Sequence, residues 1–262
     1  MRVSNFSKRA ALVAMLMASV APAAALAEDT ADSRFDAKVH AYLVEHPEVL
    51  MEMSQALQAR QAAMRADTFK QMLPAVRQSL VADPRDGVAG NPKGDVTIVI
   101  LQDKECVYCK AISPEIVQLL KEDHGVRVVY KEFPILGEGS VIAAKASLAS
   151  LKQSGPSVNG VPNKFEAFTN ALLADKTPEH QLTEQKILAI ARSVNLDVDR
   201  LKADMASPDI AQTIADNKVL AQKIGVTGTP GVFINDHLEN FVPYDKLQQL
   251  VADSRASQKA TN

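Results

Sequence analysis

The chain has 262 residues, 47% of them hydrophobic, with 29 Lys and Arg against 31 Asp and Glu. This length and apolar content suffice for one well-buried core and an additional appendage. A formal net charge of -2, with no basic cluster, argues against a nucleic-acid partner.

The first 27 residues have the pattern of a bacterial secretory signal peptide, which is a basic start, a short apolar run and a small-x-small cleavage site. The alternative is a retained membrane anchor, but the run is shorter than the roughly 18 apolar residues that span a bilayer. We therefore expect export and cleavage after Ala27, which leaves a mature chain of 26 Lys and Arg against 31 Asp and Glu. The basic residues are Arg2, Lys8 and Arg9, the run spans 10–20, and the site is Ala25-Leu26-Ala27.

Residues 28–85 are predicted to form a helical arm, because residues 32–81 contain no Gly and are rich in Ala, Gln, Met and Leu. Pro47 suits the first turn of a helix, and Pro74 predicts a kink. An apolar seam follows the spacing of a coiled coil. The seam could pack on the globular domain, but we favour self-association, because a complete domain follows the arm. The seam residues are Ala62, Ala66, Phe69, Leu73, Val76 and Leu80.

Beyond the arm, turn-rich segments over 83–87 and 90–95 mark the boundary into the main domain. Strands are predicted over 96–101, 126–133 and 228–235, the first being a continuous apolar run typical of a fully buried strand. Helices are predicted from the cysteines to about 123, in several pieces over about 140–224, and over 244–254. The resulting divisions are 86–139, a helical insertion over 140–224, a second part over 225–255, and a tail over 256–262.

The two cysteines lie in Cys106-Val107-Tyr108-Cys109, at the turn from the first strand into the first helix of the domain. A disulfide that closes so short a loop stabilises the fold by only about 2 kcal/mol, so a structural role is unattractive. A helix N-terminus, by contrast, stabilises the thiolate that disulfide exchange requires. We therefore expect Cys106 to attack and Cys109, one helical turn later, to resolve the mixed disulfide.

A metal site is the alternative use of two such cysteines. Structural zinc is disfavoured, because there is no second cysteine pair and no histidine is spaced to complete a tetrahedral site. Copper(I) stays open, since two thiolates suit a soft ion. We predict neither a resident metal nor a cofactor. The histidines are His40, His46, His124, His180 and His237.

Thr229-Pro230 stands at the entry of the last predicted strand, where proline is unusual because it cannot donate to a strand ladder. A cis peptide bond there would resolve the conflict and bring the Thr229 backbone beside Cys106.

Taken together, these motifs resemble the DsbA family, and the arm resembles the oligomeric branch that includes ScsC and Com1 proteins. The resemblance implies an α/β thioredoxin fold with an inserted helical domain, a periplasmic location, a cis bond before Pro230 and disulfide exchange on exported proteins. It implies Tyr108, Thr229 and Pro230 as substrate-binding residues. It rests on the CxxC, on 130–137 (YKEFPILG), on Ala143-Ala144, on Gly228-Thr229-Pro230, and in the arm on Tyr42-Leu43 and 46–50 (HPEVL).

Three positions depart from that family pattern. Ile100 stands where a buried acid commonly serves the resolving cysteine, with Asp103 or Glu132 as candidate replacements. Tyr108 stands where the strong oxidants have an imidazole, and Gly231 replaces a larger residue, which would loosen the peptide groove. These departures leave the direction of the redox reaction open.

The interpretation that we favour is an oligomeric disulfide isomerase or reductase, a homo-oligomer such as a trimer. Such a protein needs reduced cysteines and therefore a membrane thiol reductase as partner. Two alternatives remain, namely a monomeric dithiol oxidase and a copper(I)-binding chaperone that would serve copper tolerance.

Overall fold

The computed structural model describes residues 23–155, 157, 161–234, 237–239 and 241–261. The chain divides into two units, Met1–Ala59 and Arg60–Asn262. The basic residues and apolar run of the predicted signal peptide, within residues 1–22, lie outside the described residues. Across the described ranges, no helix combines the length and apolar character needed to cross a membrane.

The described part of the first unit is helical, as its composition predicts. Helix α1 spans Ala23–Glu45, and helix α2, Glu48–Val81, begins directly after Pro47 and continues into the second unit. Within the described part of the first unit, eight large apolar side chains of these helices are exposed, whereas Leu43 and Val49 are half-buried. The exposed ones are Phe35, Val39, Tyr42, Val44, Leu50, Met51, Met53 and Leu57.

The second unit is built on a five-stranded sheet with the order β1-β3-β2-β4-β5. Only β2 and β3 are parallel, with Ile98 beside Val128, and the helix between them supplies the crossover that parallel strands require. The other pairs are antiparallel. The strands are β1 Gly87–Gly90, β2 Val96–Gln102, β3 Val126–Glu132, β4 Gly231–Ile234 and β5 His237–Glu239.

Both faces of the central strand β2 are buried, which explains its uninterrupted apolar sequence. Ile98 and Ile100 face a core that includes Ile112 and Ile116 of helix α3, Val107–Glu122, and Leu247 of the last helix, Tyr244–Thr261. Their neighbours Val99 and Leu101 face the opposite side. The predicted strand over 96–101 is confirmed.

The segment between β3 and β4 forms a helical insertion with its own core, which includes Ala143, Phe168, Ile187 and Leu201. Its described residues form five helices and a 3-10 turn at Leu151–Gln153. They are α4 Glu138–Ser150, α5 Lys164–Ala174, α6 Glu184–Ser193, α7 Val198–Met205 and α8 Pro208–Lys223, which makes the last helix of the chain α9.

The C-terminal part of α2 belongs to the core of the second unit. Phe69, Val76 and Leu80 are buried against Val99 and Leu101 of β2, and the ring of Phe69 lies 4.7 Å from that of Phe233. The prediction that the seam serves self-association is therefore wrong for this part of it, because these three side chains pack inside their own chain. The compact unit begins at Arg60, earlier than the boundary at residue 86 expected from turn residues.

Strand β1 lies in a segment whose glycines predicted only turns. A Cβ atom on Gly87 would lie 1.8 Å from the ring of Phe165, so a residue without a side chain is needed where α5 covers the strand. Gly90, at a φ of +71°, adopts the left-handed conformation that favours glycine and ends the strand.

Candidate active site

The cysteines lie where β2 leads into α3. Cys106 is the N-cap residue of α3, and Cys109 lies in the first turn of that helix. Both thiols are free and buried, and they form one buried cluster with Leu173 of α5. The chain thus brings two sulfurs together at a helix N-terminus, as their spacing predicts.

The surroundings of Cys106 favour its thiolate. The side-chain hydrogen bond with Cys109 contributes most, and the Thr229 side chain and the backbone N–H groups of Cys109 and Tyr108 add to it. These interactions outweigh the opposing effect of burial and lower the pKa of Cys106 to about 6. As a thiol, Cys106 donates instead to the Thr229 carbonyl oxygen, 3.2 Å from its Sγ.

The surroundings of Cys109 disfavour its thiolate. Burial raises its pKa well above the ordinary value, and the hydrogen bond and charge of Cys106 raise it further. The two thiols are therefore distinct, since one ionises readily near neutral pH and the other keeps its proton.

The remaining residues expected to bind substrate lie next to Cys106. The Thr229-Pro230 bond is cis, which confirms the prediction. Tyr108 is exposed and, with Thr229 and Pro230, lines a pocket of about 370 Å³. The wall of the pocket also contains Arg65, Val226, Leu238 and Phe241. Gly231 does not leave a gap, because a Cβ there would lie 3.1 Å from Val226 Cγ1.

Neither of the two acids suggested as replacements at Ile100 has a side chain free for Cys109. Ile100 itself lies in the core. Asp103 accepts hydrogen bonds from the backbone amides of Ile135 and Leu136 and from Ser140 Oγ, at 2.8, 3.0 and 2.6 Å. Its backbone, however, hydrogen-bonds to Cys109.

Glu132 forms a buried ion pair in which Lys104 Nζ lies 2.7 Å from Glu132 Oε1. A second buried pair joins Lys131 to Asp86, 2.5 Å apart. Burial raises the pKa of Asp86 to about 6, although the charge of Lys131 opposes the shift. The two pairs lie at the carboxyl ends of β2 and β3, and β2 leads into the turn that carries the cysteines. Removing one partner of either pair would leave an uncompensated buried charge.

Sequence reasoning missed the residues of the insertion that surround this turn. Leu182 N donates to Glu105 Oε1, Lys110 Nζ donates to the Thr177 carbonyl, and Val107 N donates to Glu179 Oε1, at 3.0, 2.8 and 3.0 Å. These residues lie some 70 positions from the cysteines and carry no motif, so no signal in the sequence identifies them.

Two family models match the chain. The thioredoxin model covers residues 82–253, and the model of the ScsC copper resistance protein N-terminal domain covers residues 33–63.

Solved structures agree with these matches. A thioredoxin-like oxidoreductase from Silicibacter pomeroyi is 42% identical, with a TM-score of 0.62 over 69% of this chain and 98% of that one. ScsC of Proteus mirabilis in a transitional conformation is 26% identical, with a TM-score of 0.61 over 87% and 99%. The thiol-disulfide exchange protein α-DsbA2 of Wolbachia pipientis is 27% identical, with a TM-score of 0.62 over 74% and 97%. With its fold and its paired thiols, the chain belongs to the thioredoxin family and is a thiol-disulfide oxidoreductase similar to DsbA and ScsC proteins.

Proposed function

We propose that the protein is a periplasmic disulfide isomerase and reductase that acts on exported proteins through Cys106 and Cys109. The observation that carries the proposal is the contrast between the two thiols, since the pKa of Cys106 is lowered to about 6 and that of Cys109 is raised. A thiolate held next to a protonated thiol is the arrangement that attack followed by resolution requires.

In the first step the Cys106 thiolate attacks one sulfur of a substrate disulfide. The Cys106–substrate bond forms, the substrate S–S bond breaks, and the second substrate sulfur leaves as a thiolate. In isomerisation, another substrate thiolate attacks the mixed disulfide and frees Cys106. In reduction, Cys109 gives its proton to the departing substrate thiolate and attacks Cys106 Sγ, which leaves a Cys106–Cys109 disulfide. A membrane thiol reductase would then return the centre to its dithiol form.

Substrate is proposed to bind beside the cis bond. Tyr108, Thr229 and Pro230 line the pocket next to Cys106, and Leu238 and Phe241 give it an apolar wall. A partly apolar pocket of this size suits side chains of an unfolded segment, which a folded substrate would keep buried. Misfolded proteins expose such segments next to wrong disulfides.

The arm is proposed to make the protein a homo-oligomer, with a trimer as one possible arrangement. Within the described part of the first unit, most of its large apolar side chains are exposed, among them Phe35, Val44 and Leu50. Apolar surface of this extent marks interaction sites. The ScsC N-terminal model matches the same stretch, residues 33–63. Joining several active sites would raise their effective concentration around one misfolded chain.

The direction of the reaction is tested by two measurements on the same protein. An isomerase should refold a protein with scrambled disulfides in a glutathione buffer and should oxidise a reduced unfolded substrate poorly. A monomeric oxidase, the alternative from the same class, would give the reverse result. The Cys106→Ser, Cys109→Ser double variant is the control, because it keeps the fold without the thiols.

Copper(I) binding is a second candidate function. Its support is the hydrogen bond between the two sulfurs, which places both thiols within reach of one soft ion. Titration of the reduced protein with copper(I) against a competing chelator tests it. One ion per chain, lost in either single Cys→Ser variant, would support the function, and binding no tighter than that of the double variant would exclude it.

A further inference from the structure

One segment of the insertion, residues 177–182, contacts the first turn of α3. Because α3 begins at the two cysteines, we call it the redox helix. We call the segment the 177–182 strap. Its Thr177 carbonyl accepts from Lys110, its Glu179 carboxylate accepts from the amide of Val107, and its Leu182 amide donates to Glu105. His180 Nδ1 hydrogen-bonds to the Leu136 carbonyl, which fastens the strap to the loop after β3. The strap thus contacts the chain on both sides of Cys106.

The amides at the start of α3 account for the role of Glu179. A helix leaves its first N–H groups without partners in the helix. The Cys106 amide donates to the Asp103 carbonyl, 3.2 Å away. The amides of Tyr108 and Cys109 point at the Cys106 sulfur. The remaining amide is that of Val107, and it donates a hydrogen bond to Glu179 Oε1, 3.0 Å away.

This contact puts a negative charge at the end of the helix where the thiolate forms. A carboxylate at a helix N-terminus stabilises the helix, but it also offsets the positive end of the dipole that stabilises the sulfur anion. The penalty falls on the thiolate form alone, because a Cys106–Cys109 disulfide carries no charge. Glu179 is exposed, so water and salt weaken the effect without removing it.

We propose that Glu179 is a positioning residue that holds the first turn of the redox helix through the Val107 amide, and that its charge keeps the centre less oxidising than the helix terminus alone would make it. This rests on the proposed role of Cys106 as the nucleophile. A less oxidising centre reduces substrate disulfides more readily, which suits the reductase activity proposed above. Lys110, His180 and Glu105, the other charged or titratable side chains that anchor the strap, stay unchanged in the variants below.

Two substitutions separate charge from hydrogen bonding. Glu179→Gln keeps an oxygen that can accept from Val107 and removes the charge, whereas Glu179→Ala removes both. Glu184→Gln is the matched control, an exposed acid at the start of α6 that lies 3.7 Å from Lys202. Thiolate absorbance against pH gives the ionisation of Cys106, and equilibration with glutathione gives the redox poise.

We expect Glu179→Gln to lower the Cys106 pKa by about 0.2 to 0.7 unit and to shift the glutathione equilibrium up to about 5-fold toward the reduced protein. The difference should shrink at a salt concentration of about 1 M. Glu184→Gln should behave as the wild type does.

A purely structural contact would give a different pattern, with Glu179→Gln unchanged and only Glu179→Ala affected. That result would overturn the inference. If the wild-type titration itself showed no thiol below the free value of about 8.5, the proposed function would fail first. The two failures are therefore distinguishable.

Discussion

At the scale of single residues, the redox centre depends on the different surroundings of two cysteines that lie one helical turn apart. Cys106, at the N-cap, is surrounded by hydrogen-bond donors, whereas Cys109, a turn further on, lies in the apolar interior. Helix position and burial therefore support the roles that we propose for the two cysteines.

The first prediction concerns these two roles. Cys106→Ser should abolish exchange, because the remaining thiol is buried and its pKa is raised. Cys109→Ser should accumulate mixed disulfides with substrates, because the resolving thiol is gone. Non-reducing gels and mass spectrometry of variants expressed with their substrates would measure both. Exchange that persists in Cys106→Ser would reassign the nucleophile.

The second prediction links the thiolate to stability. Because the folded pKa of Cys106, about 6, lies below that of an unfolded cysteine, ionisation stabilises the folded reduced protein. The contribution is complete above the unfolded pKa of about 8.5 and disappears as pH falls through about 6. At about pH 7 it amounts to about 1.4 kcal/mol.

Urea unfolding under reducing conditions would test this linkage against the reduced Cys106→Ser variant. The difference in the free energy of unfolding between the two proteins should grow by about 1.4 kcal/mol from about pH 5 to about pH 7. A difference that stays constant with pH would contradict the prediction.

At the scale of elements, α2 shows that a repeat pattern identifies an apolar helix face but not its packing partner. Its seam has coiled-coil spacing, yet Phe69, Val76 and Leu80 pack on the sheet of their own chain. Periodicity identifies an apolar face but not the surface that covers it, because a neighbouring chain and a neighbouring sheet bury the same stripe.

The third prediction measures that packing. Phe69→Ala should cost about 3–5 kcal/mol of the free energy of unfolding, because a buried ring is replaced by a cavity. Met64→Ala, five positions earlier on the same helix and 71% exposed, should change it by no more than about 0.5 kcal/mol. Denaturant unfolding of both variants gives the comparison. Equal effects would mean that Phe69 is not part of the core.

The sequence predicted best what neighbouring residues determine. The CxxC at a strand-to-helix turn and the buried strand β2 each depend on a few consecutive residues, whereas the cis bond before Pro230 was implied by the resemblance to the DsbA family. Strands β1 and β5 were missed, since one carries glycine at both ends and the other has only three residues. The contacts of Glu179 and Ser140 could not be predicted, because they depend on how a distant loop folds back over the cysteines.

At the scale of the whole molecule, the fourth prediction separates the two parts of the helical region. Removing residues 28–59 should leave a folded monomer that still reduces small disulfides but refolds scrambled protein poorly. Removing residues 28–81 should prevent folding, because Phe69, Val76 and Leu80 leave the core with the deleted segment.

Light scattering, circular dichroism and the two activity assays would test this pair of deletions. An unchanged size after the shorter deletion would show that the arm is not the interface. A full-length protein that is monomeric at micromolar concentration would replace the isomerase proposal with the monomeric oxidase.

The strand order also constrains how the chain can reach its fold. The two parallel strands β2 and β3 are close in sequence, but β2 obtains its second neighbour only when Ile98 meets Ile234, after the whole insertion has been made. Until then this apolar strand has an open edge, able to pair with any extended chain nearby. Such long-range pairing is slow. We therefore expect the unfinished chain to aggregate more readily than the complete protein, because this strand edge is not yet covered.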